Sequence, residues 1–489
     1  KGQPKVYDTP FARGESTEEL LSSWMAILQS IDDRWPSLFE YEKDLANKVG
    51  PMSVMRPLDE RMEDIESYYE GILLPSTPID ERALNAVVHE FSQIRGLSIR
   101  SQGRTVELMK KSTNSGSPYF TKRRIVTGDT IPCKVWPTRG EVVQVLNGQD
   151  KWNAAAVLGW RGQEGGPAVS DVKQRVVWMF PYAVNIEELR LYQPLIESAQ
   201  KFNLVPAWVS MDEVDRRITR MFDSKREDDL VVCTDFSKFD QHFGIDLQEA
   251  ALTILRALMS HEFQSADWLA NTFPIKYMIP LAYNWERVRF GRHGMGSGSG
   301  GTNCDETLVH RALQYEAAQR AGKWLNPNSQ CLGDDGVLTY PGITVEDVVN
   351  AYTSHGLEMN PDKQYASTQD CTYLRRWHHK DYREGGICVG VYSTCRALGR
   401  LRYLERYQNP EYWDAKAVAL RQLSILENVK YHPLKEQFVD FCMKRDKYRL
   451  GRDIPHFLDN IRAVAYEKIN SMPDFLGYTR TLQSEGRDP

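Results

Sequence analysis

Three aspartates at two places in the chain carry the most distinctive chemistry. Leu230-Val231-Val232-Cys233-Thr234 is an apolar, β-branched run ending at Asp235, the pattern by which a buried strand delivers a carboxylate to a cleft. Farther along, Gly333-Asp334-Asp335-Gly336 lies between Gln330-Cys331-Leu332 and Val337-Leu338-Thr339, a strand–turn–strand pattern. The two glycines permit the φ angles that such a turn demands. Carboxylates converging from a strand end and a hairpin turn suit a pair of divalent cations, which activate a hydroxyl nucleophile and neutralise a leaving pyrophosphate. Taken alone, Gly333-Asp334-Asp335 reads equally as a surface turn, where Asp-Gly is common. Its weight comes from company in a fixed order. Asp235-Phe236-Ser237-Lys238-Phe239-Asp240 places a second acid after the first. Gly294-Met295-Gly296-Ser297-Gly298-Ser299-Gly300-Gly301-Thr302 is a flexible loop entering a helix. Gly356-Leu357-Glu358-Met359-Asn360-Pro361-Asp362-Lys363 follows another helix.

The elements that must position these residues are legible in outline. Ser16-x-x-Glu19 forms a capping box opening an amphipathic stretch, with Leu20, Leu21, Trp24, Met25, Leu28 and Ile31 at helical spacing. Helical patterns also cover about 57–72, 80–95, 186–202, 211–223, 246–262, 303–319 and 344–355. Residues 100–175 are punctuated by Gly, Pro and Ser and predict loops and short strands. The region after 410 is again helical, with Trp413, Leu420, Leu423 and Leu426 on one side. There are no repeats or low-complexity tracts.

At 489 residues the chain exceeds one compact core, so several subdomains are expected. With 41% hydrophobic and 26% charged residues it has an ordinary globular composition. No run is long and apolar enough for a membrane span. Lys1-Gly2-Gln3-Pro4 lacks a signal peptide's apolar core and a start methionine, which predicts a trimmed start. The eight cysteines form no C-x-x-C pair and no zinc-finger cluster, so reduced thiols in an intracellular setting are expected.

The net charge of −5 argues by itself against a nucleic-acid partner. Its distribution argues the other way. Residues 15–44 carry eight acidic and two basic side chains, whereas 101–124 carry six basic ones against Glu107. Further basic stretches with interleaved aromatics are 287–293, 375–383 and 396–406. An acidic outside with basic segments gathered elsewhere suits an internal channel for a polyanion. Each cluster alone reads as a solvated helix face.

In the order D-x4-D, glycine-rich loop into Thr, G-D-D and late lysine, the chain resembles the right-handed RNA polymerases of RNA viruses over about 170–400. Lys173-Gln174-Arg175-Val176-Val177-Trp178-Met179-Phe180-Pro181 looks like the basic fingers motif of polymerases from double-stranded RNA viruses. With the glycine loop and the length, it is similar to picobirnaviruses, with partitiviruses the near neighbour.

The resemblance implies an α+β right-hand polymerase with fingers, an antiparallel palm sheet, a thumb and a helical N-terminal extension. The implied division is 1–100 extension, 101–229 fingers, 230–250 palm, 251–293 fingers insertion, 294–385 palm, and 386–489 thumb and C-terminal tail. It implies template-directed nucleotidyl transfer from NTPs with two Mg²⁺ or Mn²⁺ ions. Asp235 and Asp334 would ligate both metals, with Asp335 an auxiliary ligand or support. Asp240 would accept a hydrogen bond from the ribose 2′-hydroxyl. Ser297 and Thr302 would sit beside that ribose and the template, and Gly298 belongs to the same RNA-facing loop. The family usually has Asn four residues after the Thr. Here the position is Glu306, which leaves the partner of Asp240 open: Glu306 would act through another group or water. Lys173 and Arg175 would cradle the triphosphate, with Arg161 a weaker candidate. Lys363 would protonate the pyrophosphate, or it is an exposed structural lysine. Arg375 and Arg376, in Tyr373-Leu374-Arg375-Arg376, would grip the nascent strand. RNA template and product, NTPs and a viral capsid protein are the implied partners of a monomeric enzyme, with no membrane. The implied location is the virion interior and host cytoplasm, with initiation that needs no protein primer.

Other readings carry less. Gly296, Gly298 and Gly301 satisfy G-x-G-x-x-G, but 287–293 is too charged for the buried strand that a dinucleotide site requires. A Walker loop fails because no Gly-Lys-Ser/Thr follows. An engineered linker would not lead into a helical pattern. A reverse transcriptase is disfavoured by Asp240 and Gly333, and a non-catalytic RNA-binding, capsid-associated protein by the intact aspartates.

Overall fold

The computed structural model describes residues 6–171, 173–405 and 408–471. The tail beyond 471, the last part of the expected thumb segment, lies outside the described residues.

The chain begins as its local signals dictate. Ser16 caps the helix Thr17–Leu28, its hydroxyl accepting the Glu19 N–H at 3.2 Å, while the Glu19 carboxylate accepts the Ser16 N–H at 3.3 Å. Both bonds of a capping box are therefore made. Leu20, Leu21, Trp24 and Leu28 fall on one buried face. That face does not close on its own neighbours. Trp24 packs edge-on against Phe438 at 4.9 Å between ring centroids, and its Nε1–H donates to Thr394 at 2.7 Å. The N-terminal extension is thus built into the same core as the helices Thr394–Arg402, Ala415–Glu427 and Lys435–Met443 near the other end of the chain.

Two sheet systems lie between. A four-stranded antiparallel sheet runs Gln330–Leu332, Asp335–Leu338, Val231–Thr234, Tyr365–Ser367. All four residues of Val231–Thr234 are buried, because this central strand is covered on both faces. Helix Thr302–Arg320 packs against the Gln330–Leu332 strand and the helices Glu81–Glu90 and Ile245–Leu258. Beside this sheet stands the hairpin Asp370–Tyr373 and Arg376–His379, extended by Val391–Tyr392. A second four-stranded sheet runs Lys173–Met179, Ala156–Gln163, Leu281–Asn284, Arg287–Arg289. Its middle pair, Ala156–Gln163 with Leu281–Asn284, is parallel. A three-stranded meander, Cys133–Pro137, Val143–Asn147 and Asp150–Ala154, shares its core.

Differences from the sequence expectations are local. The helix expected over 246–262 runs from Ile245 to Leu258, and a separate helix, Phe263–Asn271, follows it. The pattern over 80–95 ends at Glu90 and finishes as a 3₁₀ turn, Ser92–Ile94. All eight cysteines are unpaired and buried. Among the described residues no helix is long and apolar enough to cross a membrane.

Candidate active site

Asp235 is the first residue beyond the buried Val231–Thr234 strand, where the chain reaches solvent. Its backbone is clamped on both sides by one side chain. The Asp235 N–H donates to Gln364 Oε1 at 2.7 Å, and Gln364 Nε2 donates to the Asp235 carbonyl at 2.8 Å. Asp334 sits in the turn joining Gln330–Leu332 to Asp335–Leu338. Gly333 enters that turn at φ +58, donating its N–H to Thr307 Oγ1 at 2.9 Å and pairing its carbonyl with His310 Nδ1 at 2.9 Å. A Cβ on Gly336 would lie 2.6 Å from the His310 ring, so glycine is required there by close packing. Gly336 pairs with Thr234 across the ladder, and one further step brings the turn's aspartates beside Asp235.

The floor so formed is crowded with negative charge. Burial first, then repulsion from Asp240 and more weakly Asp235, push the Asp334 carboxyl up to about 6, against the pull of Arg175. Asp334 keeps solvent-accessible surface in the cleft, with dense protein around its carboxyl group. Burial and Asp334 push Asp335 up to about 7, although its carboxylate accepts the Leu374 N–H at 2.7 Å. Asp335 therefore faces the Tyr373-Leu374-Arg375-Arg376 turn. Among the described residues no three His, Cys, Asp or Glu side chains form a ready-made metal cage. Two neighbouring carboxylates nonetheless fit Mg²⁺ or Mn²⁺, since Mg²⁺ is commonly held by one or two carboxylates with waters and substrate phosphates completing the shell.

Asp240 lies at the end of this floor, and the side chain that meets it is Glu306. The two carboxyl groups are neighbours, and each feels the other. Burial pushes both upward, Glu306 well above the carboxylate range.

The glycine loop is held from behind. Ser297 Oγ accepts the Trp178 N–H and donates to the Val176 carbonyl, each at 3.3 Å. A Cβ on Gly298 would fall 1.6 Å from the Trp178 carbonyl oxygen. Thr302 Oγ1 donates to the Gly296 and Ser297 carbonyls at 3.2 and 3.3 Å. The hydroxyls expected beside the ribose thus fasten the loop to the Lys173–Met179 strand and to itself. Glu188, fully buried and pushed up to about 7 by that burial, takes the Ser299 hydroxyl and the Gly300 N–H. Behind it Asp305 is paired with Lys276 at 3.0 Å and accepts the Tyr192 and Tyr277 hydroxyls at 2.8 and 2.7 Å.

Opposite the acids, Arg161 pairs with Arg175 and Gln163 with Lys173 across one ladder. Arg175 is exposed and close enough to Asp240 and Asp334 to be felt by both. Lys173 is exposed, and Arg161 donates to Glu405 at 3.2 Å. Lys363 ends an exposed 3₁₀ turn, Pro361–Lys363, directly before the Gln364 clamp. Leu374 and Arg375 hold φ +53 and +62 at the hairpin tip. Arg376 departs from its expected role. Its guanidinium is buried in an ion pair with Asp215, so it is committed inside the protein.

Sequence reasoning missed Gln364, Thr307, His310, Glu188, Lys276 and Lys48. Lys48, from the N-terminal extension, is lowered by burial and by its cationic neighbours Arg396, Lys173 and Arg375, with Asp235 opposing. None stands in a motif. They share no local sequence signal that would single them out.

The profile of the viral RNA-dependent RNA polymerase family matches residues 50–403. Over 485 residues the chain is 62% identical to a protein of Human picobirnavirus described as a potential RNA-dependent RNA polymerase, covering 99% of this chain and 90% of the relative. The fold is similar to the crystal structure of the RNA-dependent RNA polymerase of a human picobirnavirus, with TM-score 0.95, 60% identity, and 100% and 92% of the two chains covered. It is also similar to an insertion-loop deletion mutant of such a polymerase, with TM-score 0.93, 60% identity, and 97% and 93% covered. The α+β right hand expected from the sequence is the fold of these structures.

Proposed function

The chain belongs to the viral RNA-dependent RNA polymerases, and from that premise we propose that it replicates and transcribes a double-stranded RNA genome by two-metal nucleotidyl transfer. The observation that carries this reading is the meeting of Asp235 and Asp334 at one cleft floor, facing Arg175. Asp235 and Asp334 hold the two divalent ions, and Asp335 supports the turn through Leu374. Bound there, Mg²⁺ or Mn²⁺ supplies the charge that lowers the pKa of a 3′-hydroxyl and neutralises departing pyrophosphate.

The remaining roles belong to the protein. Arg175 and Lys173 bind the triphosphate, Arg175 being suited to bidentate phosphate contacts. Asp240 accepts the ribose 2′-hydroxyl. Ser297, Gly298 and Thr302 shape the surface beside template and sugar by anchoring the loop. Lys363, exposed beside the Asp235 clamp, delivers a proton to the pyrophosphate oxygen. Arg375 contacts the nascent strand. The fingers, palm and thumb boundaries, a capsid-protein partner, a monomeric state and residence in the virion and host cytoplasm complete the reading.

Incubating the purified chain with single-stranded RNA, labelled NTPs and Mg²⁺, with and without chelator, tests it. A chelator-sensitive product of template length is the expected result. RNA binding without synthesis would favour a non-catalytic role, and synthesis from dNTPs a reverse transcriptase.

A further inference from the structure

The glycine loop from Gly294 to Thr302 has two sides. Ser297 and Gly298 keep solvent-accessible surface, whereas Ser299 is buried. The buried side rests on one helix, Tyr182–Lys201, and there on two buried side chains one turn apart, Asn185 and Glu188. Asn185 Nδ2 donates to the Gly298 carbonyl at 3.3 Å and to Glu188 Oε1 at 3.2 Å. Glu188 accepts the Ser299 hydroxyl on Oε2 and the Gly300 N–H on Oε1, the latter at 3.2 Å. The Ser299 oxygen in turn accepts the Gly301 N–H at 3.0 Å. Gly298, Ser299, Gly300 and Gly301 are thus tied, directly or through Asn185 and Ser299, to a single buried carboxylate. Arg123 can only donate, so its bond to Asn185 Oδ1 at 3.0 Å turns the amide nitrogen toward Glu188 and the loop. Among the described residues Glu188 makes no ion pair, since the nearby Lys276 is bonded to Asp305. A buried carboxylate held by neutral donors stabilises a core less than well-packed apolar side chains do. What a fully bonded polar network provides is one arrangement in preference to others.

We propose that Glu188, with Asn185, is a positioning residue for template-directed nucleotide selection, holding the glycine loop in the one arrangement that presents Ser297 and Gly298 beside the template. The inference rests on the reading above that this loop lies against template and nucleotide. A mispaired base differs in shape from a matched one, and a wall rejects it only if the wall does not yield. Freed from Glu188, the loop shifts to accommodate the mispair, while a matched pair is used nearly as before. Glu188 touches neither base nor sugar. It acts through Ser299 and Gly300 on the residues that do.

Single-nucleotide incorporation by the full chain decides this, with matched and mismatched ribonucleotides offered opposite one template base. kcat and KM are separated for wild type, Ser299→Ala, Glu188→Leu, the double variant and Gly298→Ala, with thermal melting of each. Ser299→Ala and Glu188→Leu should each lower the matched-to-mismatched ratio of kcat/KM by about tenfold, through faster use of the mismatch, with matched kcat within about threefold of wild type. The double variant should lose little beyond the worse single one, because both cut the same tie. A merely structural role would lower melting and leave the ratio alone. Ser299→Ala removes one hydroxyl, so it decides the matter even where Glu188→Leu does not fold. A Cβ on Gly298 would fall 1.6 Å from the Trp178 carbonyl oxygen, so Gly298→Ala must displace the loop itself. If Gly298→Ala changes the ratio or stops incorporation while Ser299→Ala selects like wild type, the Glu188 tie has no such role. If Gly298→Ala also selects like wild type, the loop does not lie beside the template and that reading is wrong.

Discussion

Glu42 and Glu306 are the same residue at nearly the same depth, 0% and 5% exposed, yet they titrate in opposite directions. Glu42 lies at the N-terminus of helix Thr394–Arg402. It accepts the Thr394 N–H at 2.8 Å, the Cys395 N–H at 3.2 Å and the Ser393 and Thr394 hydroxyls at 2.6 and 2.7 Å, and pairs with His432 at 2.9 Å. Burial alone would raise it. The bonds from His432, Ser393 and Thr394 overcome that push and hold it below the carboxylate range, aided by the positive end of the helix dipole. Glu306 faces Asp240, Asp334 and Asp305, and moves well above that range. The joint between the N-terminal extension and the C-terminal helices is electrostatically complete and serves architecture. The cleft floor is left with uncompensated acids, which suits the cations and phosphates of the proposed reaction.

The contrast breaks most sharply if the two regions are exchanged in experiment. Asp334→Ala should reduce nucleotide incorporation by about a thousandfold or more, equivalent to ~4 kcal/mol of transition-state stabilisation, with melting near or above wild type because repulsion is relieved. Retained activity, measured with labelled NTPs, would remove Asp334 from the metal site. Glu42→Ala should do the reverse in kind. It strands His432 and several buried donors, and chemical denaturation should show a loss of about 3–5 kcal/mol.

Adjacent arginines sharpen the comparison at smaller scale. Arg376→Ala leaves the buried Asp215 without its arginine, with the Gly390 N–H still donating to it, and should lower stability by about 3 kcal/mol. Arg375→Ala, at the exposed hairpin tip, should weaken RNA binding several-fold in a filter assay with melting little changed. Equal melting losses in the two variants would erase the distinction between a structural and an RNA-facing arginine.

The smallest effect is a slope. Glu188 is raised to about 7 in the folded protein by burial, against an unfolded value near 4.3. The folded state therefore holds its proton more tightly. The associated stability is fully present below about pH 4 and is lost as pH rises through 7, by on the order of 3–4 kcal/mol. Glu188→Gln should flatten melting temperature against pH across that window. Glu42 has the opposite sign. Its lowered pKa contributes stability above about pH 4.5 that disappears in more acidic solution.

Much of the local layout of the candidate site was legible because it is encoded in short windows. The apolar run into Asp235, the glycine-flanked Asp334 turn, the Gly-Ser loop entering a helix and the Ser16–Glu19 capping box each depend on residues within a few positions of one another. They depend on periodicity, turn sterics and local hydrogen bonds. Glu42 shows the limit. It sits in an acidic run that reads as an outer surface, yet its partners Ser393 and His432 lie 351 and 390 residues away.

The sequence alone determined which carboxylates and cations exist, and which strand end, turn and loop present them. Tertiary structure alone decided their partners: Glu306 on Asp240, Gln364 around the Asp235 backbone, Asp335 on Leu374, and Arg376 on Asp215 instead of RNA. The reason is physical. Which groups face each other, and hence which are charged, depends on contacts across the chain and on the water they exclude. Neither is contained in a residue's immediate neighbourhood.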